Sequence, residues 1–172
     1  MKPLIILDLN GTLCLSQHRP YPGFVCSAKA RTKYIYIRPG LLDFLQFLFT
    51  HFRVAVWSSN SLQNAQATVE ILFTREQQRL LQFVWGRDMC IAKNYGDYSS
   101  VKPLEKIEKQ RGESLTNVTI IDDTPEKISG HCTDRNYYAI KPYEAPDASD
   151  TGLFEAREWL IMQYGIIRAS GN

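Results

Sequence analysis

The chain has 172 residues, of which 44% are hydrophobic and 22% charged, a composition that is ordinary for a globular protein and excludes an intrinsically disordered one. Lys and Arg outnumber Asp and Glu by only 20 to 18, and the positive residues are scattered, which argues against a basic nucleic-acid-binding face. The length favours one domain over residues 1–172, because two domains of this total size would each have a small core.

The cysteines and the N-terminus favour an intracellular protein. Cys14, Cys26, Cys90 and Cys132 are widely spaced and form no C-x-x-C pair, so we expect free thiols and neither a zinc site nor a disulfide framework. The N-terminal apolar run contains Asp8, and it is too short for a bilayer span and atypical of a signal peptide. We therefore expect no membrane or nucleic-acid partner and a place in the nucleus or the cytoplasm, while the oligomeric state is left open.

Apolar runs of strand length alternate with helix-length patterns along the chain. Continuous aliphatic runs are typical of strands buried on both faces of a parallel sheet. The alternation therefore predicts an α/β fold, a single Rossmann-like domain with a central parallel sheet and helices on both faces. In chain order, the predicted elements are a strand at Leu4 to Leu7, a helix at Leu41 to Phe49, a strand at Val54 to Trp57, helices at Leu62 to Leu72 and Pro103 to Gln110, strands at Val118 to Ile121 and Tyr137 to Ile140, and a helix at Leu153 to Tyr164.

The segment 14–37, between the first predicted strand and the first predicted helix, is too long for an ordinary connection. We predict a flap, partly a β-hairpin, that lies over the carboxyl edge of the sheet, where open α/β folds bind ligands. The flap contains the aromatic residues Tyr21, Phe24, Tyr34 and Tyr36. They either fill ordinary strand and core positions or line a groove for a proline-containing phosphopeptide.

Polar side chains follow three of the four predicted strands. Asp8 follows the first strand, and Ser58, Ser59 and Asn60 follow the second. The pair Asp122 and Asp123 follows the third. Because the carboxyl ends of parallel strands meet at one edge of the sheet, we expect these side chains to share a pocket.

This set of residues suits phosphoryl transfer. A carboxylate such as Asp8 can attack phosphorus and form an aspartyl-phosphate, and clustered carboxylates hold Mg²⁺, which prefers oxygen ligands. Lys102, which we place at the start of a helix near the same edge, would neutralise the phosphoryl oxygens. Gly11 permits a tight turn just after the nucleophile. The candidate phosphate-binding residues are Gly11, Thr12, Ser58, Ser59 and Lys102.

Each feature also has a purely structural explanation. The D-x-x-G-T stretch is a common strand-to-turn junction, the serines fit a polar loop, and Lys102 fits a solvated helix residue. The pair Asp122 and Asp123 is more specific, because two like charges at a strand end repel each other unless a cation lies between them. The combination of these features in this order favours phosphoryl transfer over the structural explanation.

The order of the motifs separates two α/β folds that carry clustered acids. In a response-regulator receiver the paired acids come with the first strand and the phosphorylated Asp with a later one, whereas here Asp8 comes first and the acid pair last. In this respect the chain resembles the haloacid dehalogenase superfamily. Within it, residues 4–161 are similar to the NLI-interacting-factor-like phosphatases, which include the small phosphatases of the RNA polymerase II C-terminal domain. The blocks that carry the resemblance are LDLNGTL, IRPGLLDFLQFL, VAVWSSNS, VKPLEKI and IIDDTPEK.

The resemblance implies a role for each candidate residue. Asp8 is implied to be the nucleophile, Ser58 the phosphate-binding hydroxyl and Lys102 the phosphate-neutralising base. The substrate is implied to be phosphoserine or phosphothreonine in a protein. The implied Mg²⁺ ligands are Asp8, the Asn10 backbone carbonyl and Asp123, with Asp122 nearby or acting through water.

Asn10 departs from the family pattern, in which this position is an aspartate that serves as general acid and base. An amide keeps the backbone carbonyl but cannot deliver a proton, and loss of general acid–base help costs about 10² to 10⁴ in rate. His18 in the flap is a candidate replacement, although a solvated loop histidine is the simpler interpretation. Three functions remain open: a Mg²⁺-dependent phosphatase slowed by Asn10, a catalytically impaired protein that binds phosphate or a phosphopeptide, and a small-molecule phosphatase of the nucleotidase kind.

Overall fold

Strands and helices alternate along the chain in the computed structural model, which describes residues 2–92, 100–130, 133 and 136–167. In chain order, the elements are β1 (Leu4–Leu7), β2 (Cys14–Gln17), β3 (Ala28–Ala30), β4 (Lys33–Ile37), α1 (Leu41–His51), β5 (Arg53–Trp57), α2 (Leu62–Leu72), α3 (Arg75–Leu80), β6 (Val84–Trp85), β7 (Ile91–Ala92), β8 (Ser100–Pro103), α4 (Glu105–Arg111), β9 (Val118–Asp122), β10 (Ile128–Ser129), β11 (Tyr137–Ala139) and α5 (Gly152–Tyr164).

A five-stranded sheet in the order β11-β9-β1-β5-β6 forms the centre of the fold, and all its strand pairs are parallel. Alternate residues of the strands point to opposite faces. Ile5 and Leu7 pack in one core cluster with residues of α1, α2 and α5, whereas Leu4 and Ile6 pack in a second cluster with residues of α4. The predicted α/β fold, with a parallel sheet between helices, is therefore confirmed.

Several elements of the fold were not predicted, namely α3, β6 and the short strands β7, β8 and β10. Helix α3 begins after Thr74, whose hydroxyl accepts the Gln77 backbone N–H while the Gln77 side chain accepts the Thr74 N–H. This T-x-x-Q capping box is visible in the sequence and would have indicated the helix. Strand β6 adds a fifth strand to the sheet, and its two residues are too few for a strand pattern to be recognised.

Lys102 lies in strand β8 and not at the start of a helix as predicted. Strand β8 pairs in parallel with β10, so that Lys102 is opposite Ile128, and helix α4 begins later, at Glu105. The physical reason is Pro103, because the residue before a proline is pushed away from helical dihedral angles into an extended conformation. Lys102 is therefore held by sheet pairing and is not a solvated helix residue.

The flap is a second, antiparallel sheet in the order β2-β4-β3. Strands β3 and β4 form the predicted hairpin, in which Ala30 is opposite Lys33. Tyr36 of β4 is buried against Leu15 and Tyr143, which is the core position that one interpretation of the aromatic residues expected. Phe24 differs, because half of its surface is exposed (50%).

Two expectations from composition can be compared with the described residues. Cys14, Cys26 and Cys90 are free thiols, as predicted, and Cys132 lies outside the described residues. In the described part of the chain, no helix has the length and apolar character needed to cross a membrane.

A buried ion pair joins Arg38, which directly follows β4, to Asp150 in the segment before α5. The Arg38 side chain is completely buried, and its Nε and Nη2 atoms lie 2.6 and 3.0 Å from the two carboxylate oxygens of Asp150. The guanidinium also donates to the Thr12 carbonyl at 3.1 Å and to the Lys141 carbonyl at 2.9 Å. Arg38 therefore holds segments that are more than a hundred residues apart in sequence.

We expect Asp150→Asn to destabilise the protein by about 3–5 kcal/mol, because it leaves the buried Arg38 charge without its partner. The matched control is Glu113→Gln, which removes a similar bidentate pair with Arg53 (2.5 and 2.8 Å) that is partly exposed. This pair is expected to contribute no more than about 1 kcal/mol. Denaturant unfolding of both variants measures the difference, and equal losses would contradict the role of Arg38.

Candidate active site

Three strands of the parallel sheet deliver polar side chains to the same edge. Asp8 directly follows β1 and its N–H donates to the Ile121 carbonyl of the neighbouring β9 at 3.0 Å. Ser58 directly follows β5, and Asp122 is the last residue of β9. Because β1 pairs with both β5 and β9, the three strand ends meet at the point where the sheet order reverses direction.

The Lys102 ammonium group lies between two carboxylates. Its Nζ atom is 2.7 Å from Asp8 Oδ1 and 2.5 Å from Asp122 Oδ2, and all three side chains are at least nine-tenths buried. Burial by itself lowers the pKa of Lys102, but Asp8 and Asp122 outweigh this effect and raise the pKa above its usual value. Lys102 is therefore a permanent positive charge that holds both carboxylates in place.

Three carboxylates face this single ammonium group. Asp8, Asp122 and Asp123 each present an oxygen within 4.8 Å of the other two. Burial raises the pKa of Asp8 to about 7; Lys102 opposes the shift and Asp122 adds to it. Burial and the charge of Asp122 also raise the pKa of Asp123. The cluster has an excess of negative charge and oxygen donors only, which fits a hard divalent cation such as Mg²⁺.

Asn10 faces the site with its side chain fixed to the flap. Its Oδ1 atom accepts the Ser16 backbone N–H at 2.6 Å, which leaves the amide NH₂ free to donate. Among the described residues, no hydrogen bond engages the Asn10 backbone carbonyl. The residue therefore offers a carbonyl oxygen and an N–H donor, but no titratable group.

The two residues after Asn10 contribute through the backbone. Gly11 has φ of 84°, and a Cβ atom at this position would overlap the Asp123 carboxylate. Only glycine lets the loop adopt this conformation so close to Asp123. Thr12 is buried, and its carbonyl accepts from Arg38. The roles predicted for Gly11 and Thr12 in phosphate binding remain predictions.

A cavity of about 180 Å³ opens at this edge. It is smaller than the pockets of several hundred Å³ that enclose drug-sized ligands, so it fits a phosphoryl group and not a whole substrate. A cavity of about 450 Å³ near Trp159 is larger but has no cluster of acids, so size does not identify the site. The lining residues of the small cavity are Asp8, Asn10, Ser58, Ser59, Asn60, Arg87, Ser100 and Lys127.

Asn60 lines the cavity with the two serines, as expected for polar residues at the same strand end, whereas three lining residues were not predicted, namely Arg87, Ser100 and Lys127. Ser100 could have been found, because it lies two residues before Lys102 and alternate residues of a strand share a face. Asn60 directly follows the two predicted serines, whereas Arg87 depends on strand β6, which no pattern indicated. His18 is exposed and does not line the cavity, so the structure offers no support for it as a replacement acid.

Comparison with known proteins relates this arrangement to a family. A family model described as NLI interacting factor-like phosphatase matches residues 3–165. An uncharacterized FCP1 homology domain-containing protein of Schizosaccharomyces pombe is 32% identical over 170 residues, which cover 87% of this chain and 64% of that protein. A CTD phosphatase-like protein of Invertebrate iridescent virus 3 is 27% identical over 180 residues, which cover 92% of this chain and 95% of that protein.

Solved structures share the fold. Fission yeast Fcp1, an RNA polymerase II CTD phosphatase solved as a variant bound to beryllium fluoride, superposes with a TM-score of 0.60 at 18% identity. A second Fcp1 structure gives 0.59 at 19% identity. The matches cover 94% and 92% of this chain and 50% of each Fcp1 chain. The chain therefore spans about half the length of the Fcp1 chain and 64% of the length of the FCP1 homology domain-containing protein.

We expect Lys102→Met to destabilise the protein by about 3–5 kcal/mol, because two buried carboxylates then face each other without a counter-charge. Adding Asp8→Asn to this variant should restore part of the loss, since it removes one of the two repelling charges. A double-mutant cycle on the free energy of unfolding measures the coupling. Additive losses in the cycle would show that Lys102 and Asp8 do not interact.

Proposed function

The chain belongs to the NLI interacting factor-like phosphatase family, and we therefore propose that it is a Mg²⁺-dependent phosphatase that forms an aspartyl-phosphate on Asp8. The observation that carries the proposal is the contact of Lys102 with both Asp8 and Asp122, beside the cavity that Ser58 lines. The family match over residues 3–165 supports a single phosphatase domain that includes the flap at 14–37.

In the first half-reaction, a carboxylate oxygen of Asp8 attacks phosphorus, and the bond between phosphorus and the leaving oxygen breaks. Lys102 donates to Asp8 Oδ1, which orients the carboxylate and leaves Oδ2 for the attack. The Ser58 hydroxyl accepts the Asn60 backbone N–H at 3.2 Å, so its own proton is free to bind a phosphoryl oxygen. These donors stabilise the charge that develops on the phosphoryl oxygens.

The residues that would hold Mg²⁺ are Asp8, the Asn10 carbonyl and Asp123, with Asp122 nearby or acting through water. The free carbonyl of Asn10 and the excess negative charge of the three carboxylates support this assignment. When it is bound, a divalent cation polarises the phosphoryl oxygens and offsets the charge of the attacking carboxylate.

In the second half-reaction, water attacks the aspartyl-phosphate, phosphate leaves and the Asp8 carboxylate is regenerated. Both half-reactions need a proton to be moved, first to the leaving oxygen and then from the attacking water. Asn10 can donate a hydrogen bond to the leaving oxygen but cannot exchange a proton. We therefore propose a slow enzyme in which the phosphorylated intermediate accumulates.

The substrate that we propose is phosphoserine or phosphothreonine in a protein, met in the nucleus or the cytoplasm. Fcp1, which shares the fold, is named a phosphatase of the RNA polymerase II CTD, which is a protein substrate. In the flap, the half-exposed Phe24 ring packs edge-on against Tyr21 with 5.6 Å between ring centroids. This apolar surface could accept a proline-containing segment.

Asn10 also favours a second candidate function, a phosphopeptide-binding protein. The groups that would hold a phosphoryl group and a cation are in place, whereas a proton-transferring side chain is replaced by an amide. Binding depends on the groups that hold the phosphoryl group and the cation, whereas turnover also needs proton transfer. Loss of turnover would therefore leave recognition intact.

Mg²⁺ binding is the first test of the proposed site. Isothermal titration calorimetry should show Mg²⁺ binding that is weakened by Asp123→Asn, because a neutral amide replaces an anionic ligand. Asp43→Asn also removes one negative charge, but on the exposed face of α1, so it should leave Mg²⁺ binding unchanged. Absence of Mg²⁺ binding with and without beryllofluoride would contradict the metal site.

The second test asks whether the Asn10 side-chain amide slows turnover. Asn10→Asp should raise kcat by about 10² to 10⁴, because it restores a proton-transferring group. The parent protein should hydrolyse aryl phosphates relatively better than phosphoserine peptides, since an aryl leaving group needs no proton. Steady-state rates and trapped phosphoenzyme are measured for both forms, with Asp8→Asn as the inactive control.

Two outcomes would change the conclusion. If the parent is already fast and Asn10→Asp leaves its rate unchanged, another residue transfers the proton and the role given to Asn10 is wrong. If both forms bind Mg²⁺ but hydrolyse no substrate, the phosphopeptide-binding function replaces the phosphatase.

A further inference from the structure

A lysine from the flap reaches the rim of the cavity. Lys33, the first residue of β4, is half-buried, and its Nζ atom donates to the Asn60 side-chain carbonyl at 3.1 Å. Asn60 lines the cavity two residues after Ser58. The flap therefore places a positive charge next to the proposed phosphate site, although Lys33 is not part of the β1, β5 or β9 strand ends.

Arg87 lies on the same rim and is exposed. Its Nε atom donates to the Ser59 carbonyl at 2.8 Å, and its backbone N–H donates to the Asn60 carbonyl at 2.7 Å. Both cations are thus attached to the loop after β5. Burial lowers the pKa of Lys33; Cys14 opposes this shift, and the positive charge of Arg87 adds to it, as expected for neighbouring like charges.

Neither rim cation is neutralised by an acid in the described part of the chain. The salt bridges there involve Arg38, Arg53 and Lys102 and include neither Lys33 nor Arg87. Two neighbouring positive charges repel each other, and an anion between them removes the repulsion. The position of Lys33, partly desolvated and held by a neutral amide, is therefore suited to a bound anion.

This anion is distinct from the phosphoryl group that Asp8 attacks. The cavity of about 180 Å³ has room for a phosphoryl group but not for a whole peptide, so the rest of a peptide substrate must cross the rim. Lys102 is buried, is held by Asp8 and Asp122 and does not line the cavity, so it cannot reach a group at the rim. Lys33 and Arg87, together with Lys127 of the cavity lining, are the positive charges near the rim.

We propose that Lys33, together with Asn60 and Arg87, binds a second anionic group on the substrate, next to the phosphoryl group that is transferred. The inference rests on the proposed phosphatase or phosphopeptide-binding function and specifies its substrate as a peptide with two neighbouring anionic groups. A phosphate and a carboxylate share this chemistry, so both are tested. Lys33 acts in specificity, whereas Asp8 attacks the phosphoryl group and Lys102 orients Asp8.

The test compares Lys33→Gln with Lys29→Gln. Lys29 lies on β3 of the same flap sheet, is exposed and packs over the Tyr34 ring at 4.6 Å, so its loss removes the same charge from the same sheet away from the cavity. The ligands are three peptides with one phosphoserine that differ in a neighbouring residue, which is Ala, Asp or a second phosphoserine. Binding to each protein is measured by fluorescence anisotropy in the Asp8→Asn background, and kcat/KM in the Asp8 background.

Lys33→Gln should weaken binding of the doubly phosphorylated peptide about tenfold more than binding of the Ala peptide, the value of one charged hydrogen bond. In turnover, the effect should appear in KM more than in kcat, because the contact is made equally in the ground and transition states. Lys29→Gln should leave the ratio between the peptides unchanged. If Lys33→Gln also weakens binding of the Asp peptide more than binding of the Ala peptide, a carboxylate is sufficient as the second anionic group.

Equal weakening of all three peptides by Lys33→Gln, or the same change of ratio with Lys29→Gln, would overturn the proposal. These results are separable from failure of the proposed function. Binding of the three peptides is measured without turnover, so an inactive protein still reports on Lys33. Conversely, an active protein whose preference does not depend on Lys33 keeps its phosphatase function and loses only the second anion site.

Discussion

The contact of one buried ammonium group with two buried carboxylates is the interaction on which the site depends. Asp8 and Asp122 end neighbouring parallel strands, so the sheet forces their side chains together whatever chemistry they perform. Without a counter-charge such a pair would repel in a poorly solvated place. Lys102 supplies that charge from outside the central sheet, on a strand that Pro103 keeps extended. The small sheet that contains β8 is therefore as necessary to the site as the central one.

The loop after β1 is held by contacts that do not depend on proton transfer. On one side of the loop, Arg38 is fixed by Asp150 and donates to the loop carbonyls. On the other side, the Asn10 side chain accepts a backbone N–H of the flap. Gly11 allows Asp123 to approach the backbone. These contacts orient the proposed nucleophile and the proposed cation ligands, and they do so although residue 10 carries an amide and no carboxylate. The geometry of binding and the chemistry of turnover are thus separable in this fold.

Much of the architecture could be predicted from the sequence, because buried parallel strands and amphipathic helices leave strong periodic patterns. The strands at the centre of the sheet agree with the prediction to within a residue or two. Strand β6 was missed because two residues carry no period, and α3 because its capping box was not considered. The helical pattern after Pro103 predicts a helix that begins near Lys102, but Pro103 restricts the preceding residue to an extended conformation, so Lys102 lies in a strand.

The strand patterns alone predict which side chains meet at the end of the central sheet, namely Asp8, Ser58, Asp122 and Asp123. They do so because strand ends in a parallel sheet converge regardless of their separation along the chain. The residues that surround these side chains depend on long-range contacts, which become visible in the three-dimensional fold. Lys33 meets Asn60 across 27 positions, and Arg38 meets Asp150 across 112. No periodicity links such residues, because their contacts arise from the way the flap and the final segment fold back onto the sheet.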